Sequence, residues 1–467
     1  MFISLTDNLY SPVEWTKVCD HKNCTEEERK TLLRFDDVSL EQLQSEKFSS
    51  GRFLIFPSSD AKADLEDKDY IFSLTDKESD KPGFKTSNVM GFFSLDEDVR
   101  VKISSRFDNS GKDFFLHYML QKVCNVAYTP RTESGEDAFY DFLYQLFPYY
   151  LNEALAQGIY RAYVTREYND ANVRGPIDVA QHIKFNIPFN GKIACHTREY
   201  TTDNAVTQLI RHTIEYIRSL QYGKIVLENG SKDLRDNIMA IEMVTPTYSR
   251  NDRLNIIRRN ARPVTHPYYT AYEPLRKLCL AILTNQKLSY GEDSENMIAG
   301  ILFDGASLWE EYLNIVLAEE FNRRLMHPNN RTGKGAQYLF KNDDNHNRRW
   351  IFPDFMIDCD AAKGPVDSAK AIIDAKYKPL NGEVGRDDAF QMLAYLFRFK
   401  SKQGFLIYPV KHDEMPQESS SLTLYNDPSV KLATVPFEVP ESAGTFDEFC
   451  EKMTDKENKL IKELNSI

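Results

Sequence analysis

The sequence lacks long apolar runs: no stretch approaches the roughly 18 apolar residues that a membrane-spanning helix needs. The first residues, MFISLTDNLYSPVEW, contain no basic segment followed by an apolar one, so we expect no secretory signal. Cysteine is scarce, with seven residues among 467, and the odd number favours reduced thiols over a disulfide framework. These absences exclude a membrane protein and predict a cytoplasmic one.

Several common catalytic and binding motifs are also missing. There is no G-x-x-x-x-G-K-[ST] phosphate loop, and the nearest text, RTGKG at 331–335, lacks the spacing and the Ser or Thr, so we expect no NTP hydrolysis by this chain. No G-x-S-x-G elbow occurs, and we find no helix-turn-helix signature. Cys19, His21 and Cys24 could offer zinc ligands, but a structural zinc site needs four, and ordinary thiols are the favoured interpretation.

The charge balance argues against a protein that simply coats DNA. The chain carries 58 basic and 70 acidic residues, for a net charge of −12. Positive charge nevertheless gathers in the stretches 250–277 and 321–350, each with seven basic and two acidic residues. Because local patches matter more than totals, a nucleic-acid enzyme remains compatible with this composition, although either stretch could equally be a solvated loop.

The chain divides into two regions with different patterns. Hydrophobic residues make up 42%, enough for a sizeable core. Residues 1–290 form an α+β region: strand-like runs in 1–110 (RFLIFP, YIFSL, VMGFFSL, VRVKISS) precede helices, with a break into two subdomains near 110–170.

Residues 291–467 predict an α/β domain, a small mixed sheet flanked by helices. The expected order is a helix at 306–326, strands at 348–359 and 369–378, a helix at 386–400 and a strand at 403–410.

The residues that carry chemistry lie on the two central strands of this second region. Asp374 and Lys376 are two apart, so they share one strand face, and Asp354 can lie beside Asp374 if the strands form a hairpin. Two adjacent carboxylates repel each other unless a cation lies between them, and Mg²⁺ prefers such oxygen ligands. With a lysine to stabilise phosphate charge, these parts suffice for metal-assisted phosphodiester hydrolysis. The bare pattern also fits a structural ion pair.

The flanking helices add further candidates. On the helical wheel Glu310 falls between Leu317 and Phe321, in the apolar sector, where an acid is costly unless it is paired or bound to metal. It could instead cap the edge of the apolar stripe. Gln391 and Tyr395 are spaced i, i+4 on the following helix and could brace the catalytic residues or bind substrate backbone.

Together these residues resemble the PD-(D/E)xK nuclease superfamily, including the Gln-x-x-x-Tyr helix of its RecB-like branch. The runs GILFDGASLWEEYL (300–313), PDF (353–355), DAKYK (374–378) and QMLAY (391–395) are similar to the McrC family. Members of that family are the nuclease subunits of McrBC and LlaJI-type restriction systems. The segment 174–212 is also similar, and the resemblance covers most of the chain beyond about residue 85 but not residues 1–84.

The resemblance implies roles for individual positions. Asp354 and Asp374 would be the ligands of Mg²⁺ (or Mn²⁺), with the Ala375 carbonyl completing the site. Lys376 would be the catalytic lysine and Glu310 the helix acid. The 19 residues between Asp354 and Asp374 leave the pairing register open.

The resemblance also implies supporting residues and partners. Gln391 and Tyr395 would support the site, while the region 1–290 would contact a hexameric McrB-like AAA+ GTPase and stimulate its NTP hydrolysis. The substrate would be double-stranded DNA, cut in an anti-phage restriction complex.

Basic residues before the catalytic strand could hold DNA phosphates without sequence preference. They are Arg323, Arg324, Arg331, Lys334, Arg348 and Arg349. Two alternatives remain: a non-catalytic adaptor that activates the NTPase in the same complex, and a RecB-like repair nuclease without that partner. The intact set of Asp354, Asp374 and Lys376 favours the nuclease subunit over a degenerate adaptor.

Overall fold

A computed structural model describes most of the chain. The described residues are 1–9, 11–44, 53–56, 70–95, 99–108, 112–124, 136–220, 223–228, 231–284, 300–328, 335–342, 347–359, 366–378, 380, 384–416 and 421–465. For residues 44, 136–142, 225, 347 and 348 the structure describes the backbone only. Within these ranges, no helix is both long and apolar enough to span a bilayer.

The described residues contain strands and helices with the following bounds. The strands are β1 (Phe2–Thr6), β2 (Phe53–Phe56), β3 (Ser73–Thr75), β4 (Gly83–Lys85), β5 (Val89–Ser94), β6 (Arg100–Ser104), β7 (Ala162–Asp170), β8 (Ile193–Thr201), β9 (Gly300–Asp304), β10 (Leu325–Met326), β11 (Gln337–Lys341), β12 (Asn347–Ile351), β13 (Phe355–Ile357), β14 (Ala371–Ala375), β15 (Gln403–Val410), β16 (Ser421–Leu424) and β17 (Asp427–Glu438). The α-helices are α1 (Trp15–Val18), α2 (Glu26–Arg34), α3 (Leu40–Gln44), α4 (Phe114–Cys124), α5 (Glu136–Ala156), α6 (Val179–Asn186), α7 (Ala205–Ser219), α8 (Gly223–Glu228), α9 (Lys232–Val244), α10 (Arg253–Arg259), α11 (Tyr272–Thr284), α12 (Gly305–Phe321), α13 (Arg386–Arg398) and α14 (Phe446–Asn465).

The first sheet has five strands in the order β1-β6-β5-β9-β2. Strand β5 runs antiparallel to both neighbours, whereas the outer strands β1 and β2 pair in parallel with β6 and β9. Strands β2 and β5 are rich in Phe and Val or Ile, which favour sheet, and every residue of β2 is buried. The four strand-like runs predicted in 1–110 contain or overlap β2, β3, β5 and β6. A strand from beyond residue 299, β9, completes this sheet.

The second sheet has six strands in the order β10-β13-β14-β15-β17-β16. Its centre, β14-β15-β17, is parallel, and the strands β10, β13 and β16 are antiparallel to their neighbours. Apolar side chains of β14 and β15, such as Ile372 and Leu406, pack with Met392 and Leu396 of α13 in one core. The prediction of an α/β fold with a mixed sheet and flanking helices is therefore confirmed.

One predicted strand is wrong in detail. We expected a continuous strand over 348–359, but the chain forms two, β12 and β13, separated by Phe352, Pro353 and Asp354. Proline has no amide hydrogen to donate to a ladder, so it marks the break. Strand β12 pairs with β11 in a separate hairpin, and β13 enters the six-stranded sheet. The predicted strand 403–410 coincides with β15.

The middle of the chain contains a β7–β8 hairpin and the helices α6 to α11. Strands β7 and β8 pair along nine residues each, and α6 lies between them in the sequence. Helix α7 is capped by Asn204, whose side chain accepts hydrogen bonds from two backbone N–H groups of the first turn. Helix α6 begins after Asp178, whose side chain accepts a hydrogen bond from the backbone N–H of Gln181.

Contacts divide the chain into two compact units. The described residues of the first unit lie in 1–123, 136–139 and 300–465, and those of the second are Cys124 and the described part of 140–284. The division into domains 1–290 and 291–467 stays a prediction. By contacts, the N-terminal 123 residues group with the C-terminal part of the chain, because β9 joins the N-terminal sheet.

Candidate functional site

The hairpin of β13 and β14 brings the two predicted aspartates together. Phe355 pairs with Ile373 across antiparallel strands, and this register continued by one residue sets Asp354 opposite Asp374. The backbone N–H of Ala375 donates a hydrogen bond to Oδ2 of Asp354 at 2.7 Å. The structure thus supplies the pairing register that the 19-residue gap in the sequence left open.

Asp374 lies in β14 and Lys376 follows directly after the strand, and their side chains point to the same side, as the spacing predicts. The Asp374 residue is only 2% exposed, and Nζ of Lys376 lies 2.7 Å from its Oδ2. Apart from this ion pair, no described group donates a hydrogen bond to this buried oxygen. Asp374 therefore retains acceptor capacity on an atom that is shielded from water.

The local electrostatics mark an excess of buried negative charge. Burial raises the pKa of Asp354 well above its usual range, and the neighbouring carboxylates of Asp374 and Glu310 raise it further. Burial opposes the charged form of Lys376, but Asp374 and Asp354 outweigh that effect, so the pKa of Lys376 is raised. A site of this kind favours an added cation.

Glu310 lies on helix α12 and contributes a third acidic side chain to the site. The helix begins after Asp304, whose carboxylate accepts a hydrogen bond from the amide of Ser307 at 3.0 Å. The Glu310 side chain is 20% exposed, and its Oε1 lies 3.8 Å from Nε2 of His327. The Glu310 carboxylate contributes to the raised pKa of Asp354.

The structure adds His327, which the sequence did not single out. Its Nδ1 lies 2.7 Å from the backbone oxygen of Asp354, and because a carbonyl only accepts, Nδ1 carries the proton. The ring stacks on Phe355 at a centroid distance of 4.9 Å. His327 thus links the backbone at Asp354 to Glu310. A lone histidine in a polar stretch gave no signal in the sequence.

Helix α13 places the predicted Gln–Tyr pair against the lysine. Oε1 of Gln391 accepts a hydrogen bond from Nζ of Lys376 at 3.2 Å, and its Nε2 donates to the Tyr395 hydroxyl at 3.1 Å. Burial raises the pKa of Tyr395 to about 12, so the hydroxyl stays protonated. Asp388, one turn before Gln391, also lies near Lys376, with its Oδ1 3.4 Å from Nζ, although it was not among the predicted site residues.

The donors present fit a hard divalent cation. Asp354, Asp374 and a backbone carbonyl are all oxygen donors, and Mg²⁺ commonly uses one or two carboxylates with water and substrate phosphate for the rest. The under-used Oδ2 of Asp374 agrees with that role. Among the described residues, no three His, Cys, Asp or Glu side chains form a ready-made metal cage.

The predicted DNA contacts receive uneven support. Arg323 and Arg349 are exposed. Arg324 forms a two-point ion pair with Asp358, with both N–O distances 2.7 Å, so its charge is already compensated. Arg331 and Lys334 lie outside the described residues, as does the side chain of Arg348.

Arg106, which follows strand β6, contacts Tyr377, the residue after Lys376. The Arg106 guanidinium donates to the carbonyl oxygen of Tyr377 and lies 4.5 Å from the centre of the Tyr377 ring. The same guanidinium pairs with the fully buried Asp7 at 3.2 Å. Sequence patterns could not predict this contact, because Arg106 and Tyr377 are 271 residues apart.

Comparisons with known proteins follow the same direction. A family model described as "McrBC 5-methylcytosine restriction system component" matches residues 84–409, more than half of the chain. No protein with a curated description matches.

Two solved structures contain similar chains. One is a refined half-complex from the tetradecameric assembly of Thermococcus gammatolerans McrB AAA+ hexamers with bound McrC, at 14% identity and a TM-score of 0.46, covering 97% of this chain and 100% of that chain. The other is the Thermococcus gammatolerans McrBC complex, at 15% identity and a TM-score of 0.32, covering 68% of this chain and 87% of that chain.

Proposed function

The chain belongs to the McrBC family of restriction-system components, and we propose that it is the endonuclease subunit of such a system, cutting double-stranded DNA in anti-phage defence. One observation carries the proposal: Asp354 and Asp374 face each other, with Lys376 2.7 Å from Asp374. This arrangement of two carboxylates and an ammonium suits hydrolysis of a phosphodiester.

Each residue of the site has a proposed role. Asp354, Asp374 and the Ala375 carbonyl would hold Mg²⁺ or Mn²⁺, which when bound supplies a Lewis acid for the phosphate and lowers the pKa of a bound water. The Lys376 ammonium orients the attacking water and stabilises charge on the phosphate oxygens. Glu310 adds negative charge beside Asp354, and Gln391 holds Lys376 through the 3.2 Å hydrogen bond.

The partner in this proposal is an McrB-like AAA+ GTPase hexamer, acting with the chain in the cytoplasm. The sequence contains no phosphate loop, and the proposal therefore assigns NTP hydrolysis to this partner. The basic residues in 321–350 would hold DNA near the site, led by the exposed Arg323 and Arg349.

The second unit offers a surface for this partner. Around α6, large apolar side chains are 50–69% exposed: Ile177, Val179, Ile183, Phe185, Ile187 and Phe189. We call these six residues the α6 surface. A concentration of exposed apolar residues on one short segment marks a protein interaction site more often than a solvated face. We propose that the α6 surface contacts the AAA+ partner.

Plasmid cleavage tests the nuclease proposal. The wild-type chain and Asp374→Ala are each co-purified with an McrB-like AAA+ protein and incubated with modified plasmid DNA, Mg²⁺ and NTP. Asp367→Ala is the matched control, because Asp367 is an exposed aspartate just before β14. We expect cleavage by the wild type and the control only. Stimulated NTP hydrolysis without cleavage by any of the three, across methylated and unmodified DNA, would favour the adaptor.

Co-purification tests the partner surface. The double variant Ile183→Ser/Phe189→Ser should lose the AAA+ partner and keep its own fold, because both side chains are exposed. Lys184→Ser, an exposed position on the same helix, serves as the control and should retain the partner. Unchanged binding by the double variant would exclude the α6 surface. Cleavage that needs no AAA+ protein at all would favour a RecB-like repair nuclease.

A further inference from the structure

Asp388 is a buried carboxylate that the proposed mechanism leaves without a role. It lies in the first turn of α13 and is 5% exposed. Its Oδ1 is 3.4 Å from Nζ of Lys376, and its Oδ2 is 3.1 Å from Nζ of Lys378. Among the described residues, the polar contacts of this carboxylate are all with these two ammonium groups.

The two lysines lie just after β14, next to the residues that carry the predicted chemistry. Lys376 and Lys378 are two residues apart, and α13 presents Asp388 to the ammonium groups of both. The Lys376 side chain is 18% exposed and that of Lys378 is 42% exposed. Asp388 thus tethers a shielded lysine and a more accessible one to one helix turn.

Lys376 has as many oxygen neighbours as it has protons to donate. A lysine ammonium carries three N–H donors. The three oxygens nearby are Oδ2 of Asp374 at 2.7 Å, Oε1 of Gln391 at 3.2 Å and Oδ1 of Asp388 at 3.4 Å. One of these oxygens belongs to the sheet and two to α13, so the lysine is held from both sides.

We propose that Asp388 is a positioning residue that holds Lys376 beside the scissile phosphate when Asp374 binds a divalent cation. The inference rests on the proposed nuclease function. A cation on Asp374 competes with Lys376 for the same carboxylate, and a lysine anchored only there would either block the cation or be displaced. The second carboxylate, on a rigid helix, keeps the lysine in place and leaves Asp374 to the cation.

A simpler role for Asp388 is stabilisation of the N-terminus of α13, where acidic residues interact favourably with the helix dipole. Asp387 occupies the same turn and is exposed. Asp387→Asn therefore makes the same change of charge at the helix terminus without the lysine contacts, and it is the matched control for Asp388→Asn. A dipole effect would be shared by the two variants.

The experiment measures Mn²⁺ affinity by calorimetry on the full chain, together with cleavage kinetics of the assembled complex. Asp388→Asn should weaken Mn²⁺ binding three- to tenfold, because Lys376 then relies more on Asp374. It should lower kcat at least tenfold and leave KM for DNA within twofold, because the residue does not contact the substrate. Asp387→Asn should match the wild type in all three values.

A double-variant cycle separates positioning from a general structural effect. In a Lys376→Ala background, Asp388→Asn should change Mn²⁺ affinity by less than twofold, because the competing lysine is gone. An equal loss in both backgrounds, or near-normal kcat for Asp388→Asn, would overturn the inference. A wild type that binds no Mn²⁺ and does not cut would instead overturn the proposed function, and the inference with it.

Discussion

The buried ion pair between Arg106 and Asp7 gives the sharpest prediction about stability. The Arg106 side chain is 10% exposed and that of Asp7 is fully buried. Removing one partner of such a pair leaves an uncompensated buried charge, which typically costs about 3–5 kcal/mol. Arg106→Met also loses the hydrogen bond to the Tyr377 carbonyl. We therefore expect the free energy of unfolding to fall by about 4 kcal/mol, a large share of the roughly 5–15 kcal/mol of an ordinary domain.

The assay is urea unfolding followed by circular dichroism in EDTA, on Arg106→Met, Asp7→Asn and the double variant. The double variant should be more stable than Arg106→Met alone, because the Asp7 charge that would otherwise be buried without its cation is removed. Lys112→Met, which removes an exposed cation, should stay within about 0.5 kcal/mol of the wild type. A loss below about 1 kcal/mol for Arg106→Met, or strictly additive losses in the double variant, would refute this reasoning.

Three further predictions concern other parts of the first unit. Burial lowers the pKa of His117 from 6.5 to about 3, so its contribution to stability is present above pH 6.5 and is lost as the pH falls toward 3. At pH 5 this loss of stability is about 2 kcal/mol. Urea titrations at pH 7 and pH 5 should show that His117→Leu removes the loss, whereas the exposed His412→Leu keeps it. Equal pH dependence of stability in both variants would contradict the role of His117. Gly305→Ala should lower the free energy of unfolding by about 1–3 kcal/mol, because the added Cβ would lie 2.6 Å from the Asn88 carbonyl oxygen. An unchanged urea midpoint would show that the first turn of α12 can shift to make room for it. Glu457→Ala should lower the free energy of unfolding by about 3 kcal/mol or more, because Glu457 accepts hydrogen bonds from the buried Tyr118 and Tyr312 hydroxyls at 2.8 and 2.7 Å. A loss below about 1 kcal/mol in the same assay would contradict that role.

The sequence predicted those parts of the fold whose signals are local. The apolar run of β15 and the i, i+4 pattern of α13 gave both elements nearly to the residue. The spacing of Asp374 and Lys376 placed them on one face, since side chains alternate along any strand. The position of Asp354 depended on pairing register, which is a property of two strands, and only the Phe355–Ile373 pairing supplied it.

The rest of the site depends on contacts between distant residues. Asp7 and Arg106 are 99 residues apart, and no local pattern links either to Tyr377. The place of β9 in the N-terminal sheet could not be inferred for the same reason. Asp388 had a weak signal, because it precedes Gln391 by three residues and therefore shares its helix face. His327 had none.

Metal-dependent cleavage by the wild type and by Asp354→Asn is the decisive test of a nuclease site at Asp354 and Asp374. Initial rates of plasmid nicking are measured for each complex across a Mg²⁺ titration that begins in EDTA. We expect no cleavage by the wild type in EDTA, a saturable rise of its rate with Mg²⁺, and no cleavage by Asp354→Asn at any Mg²⁺ concentration. Wild-type cutting that persists in EDTA, or an Asp354→Asn variant that cuts at the wild-type rate, would contradict a metal-dependent nuclease site at Asp354 and Asp374.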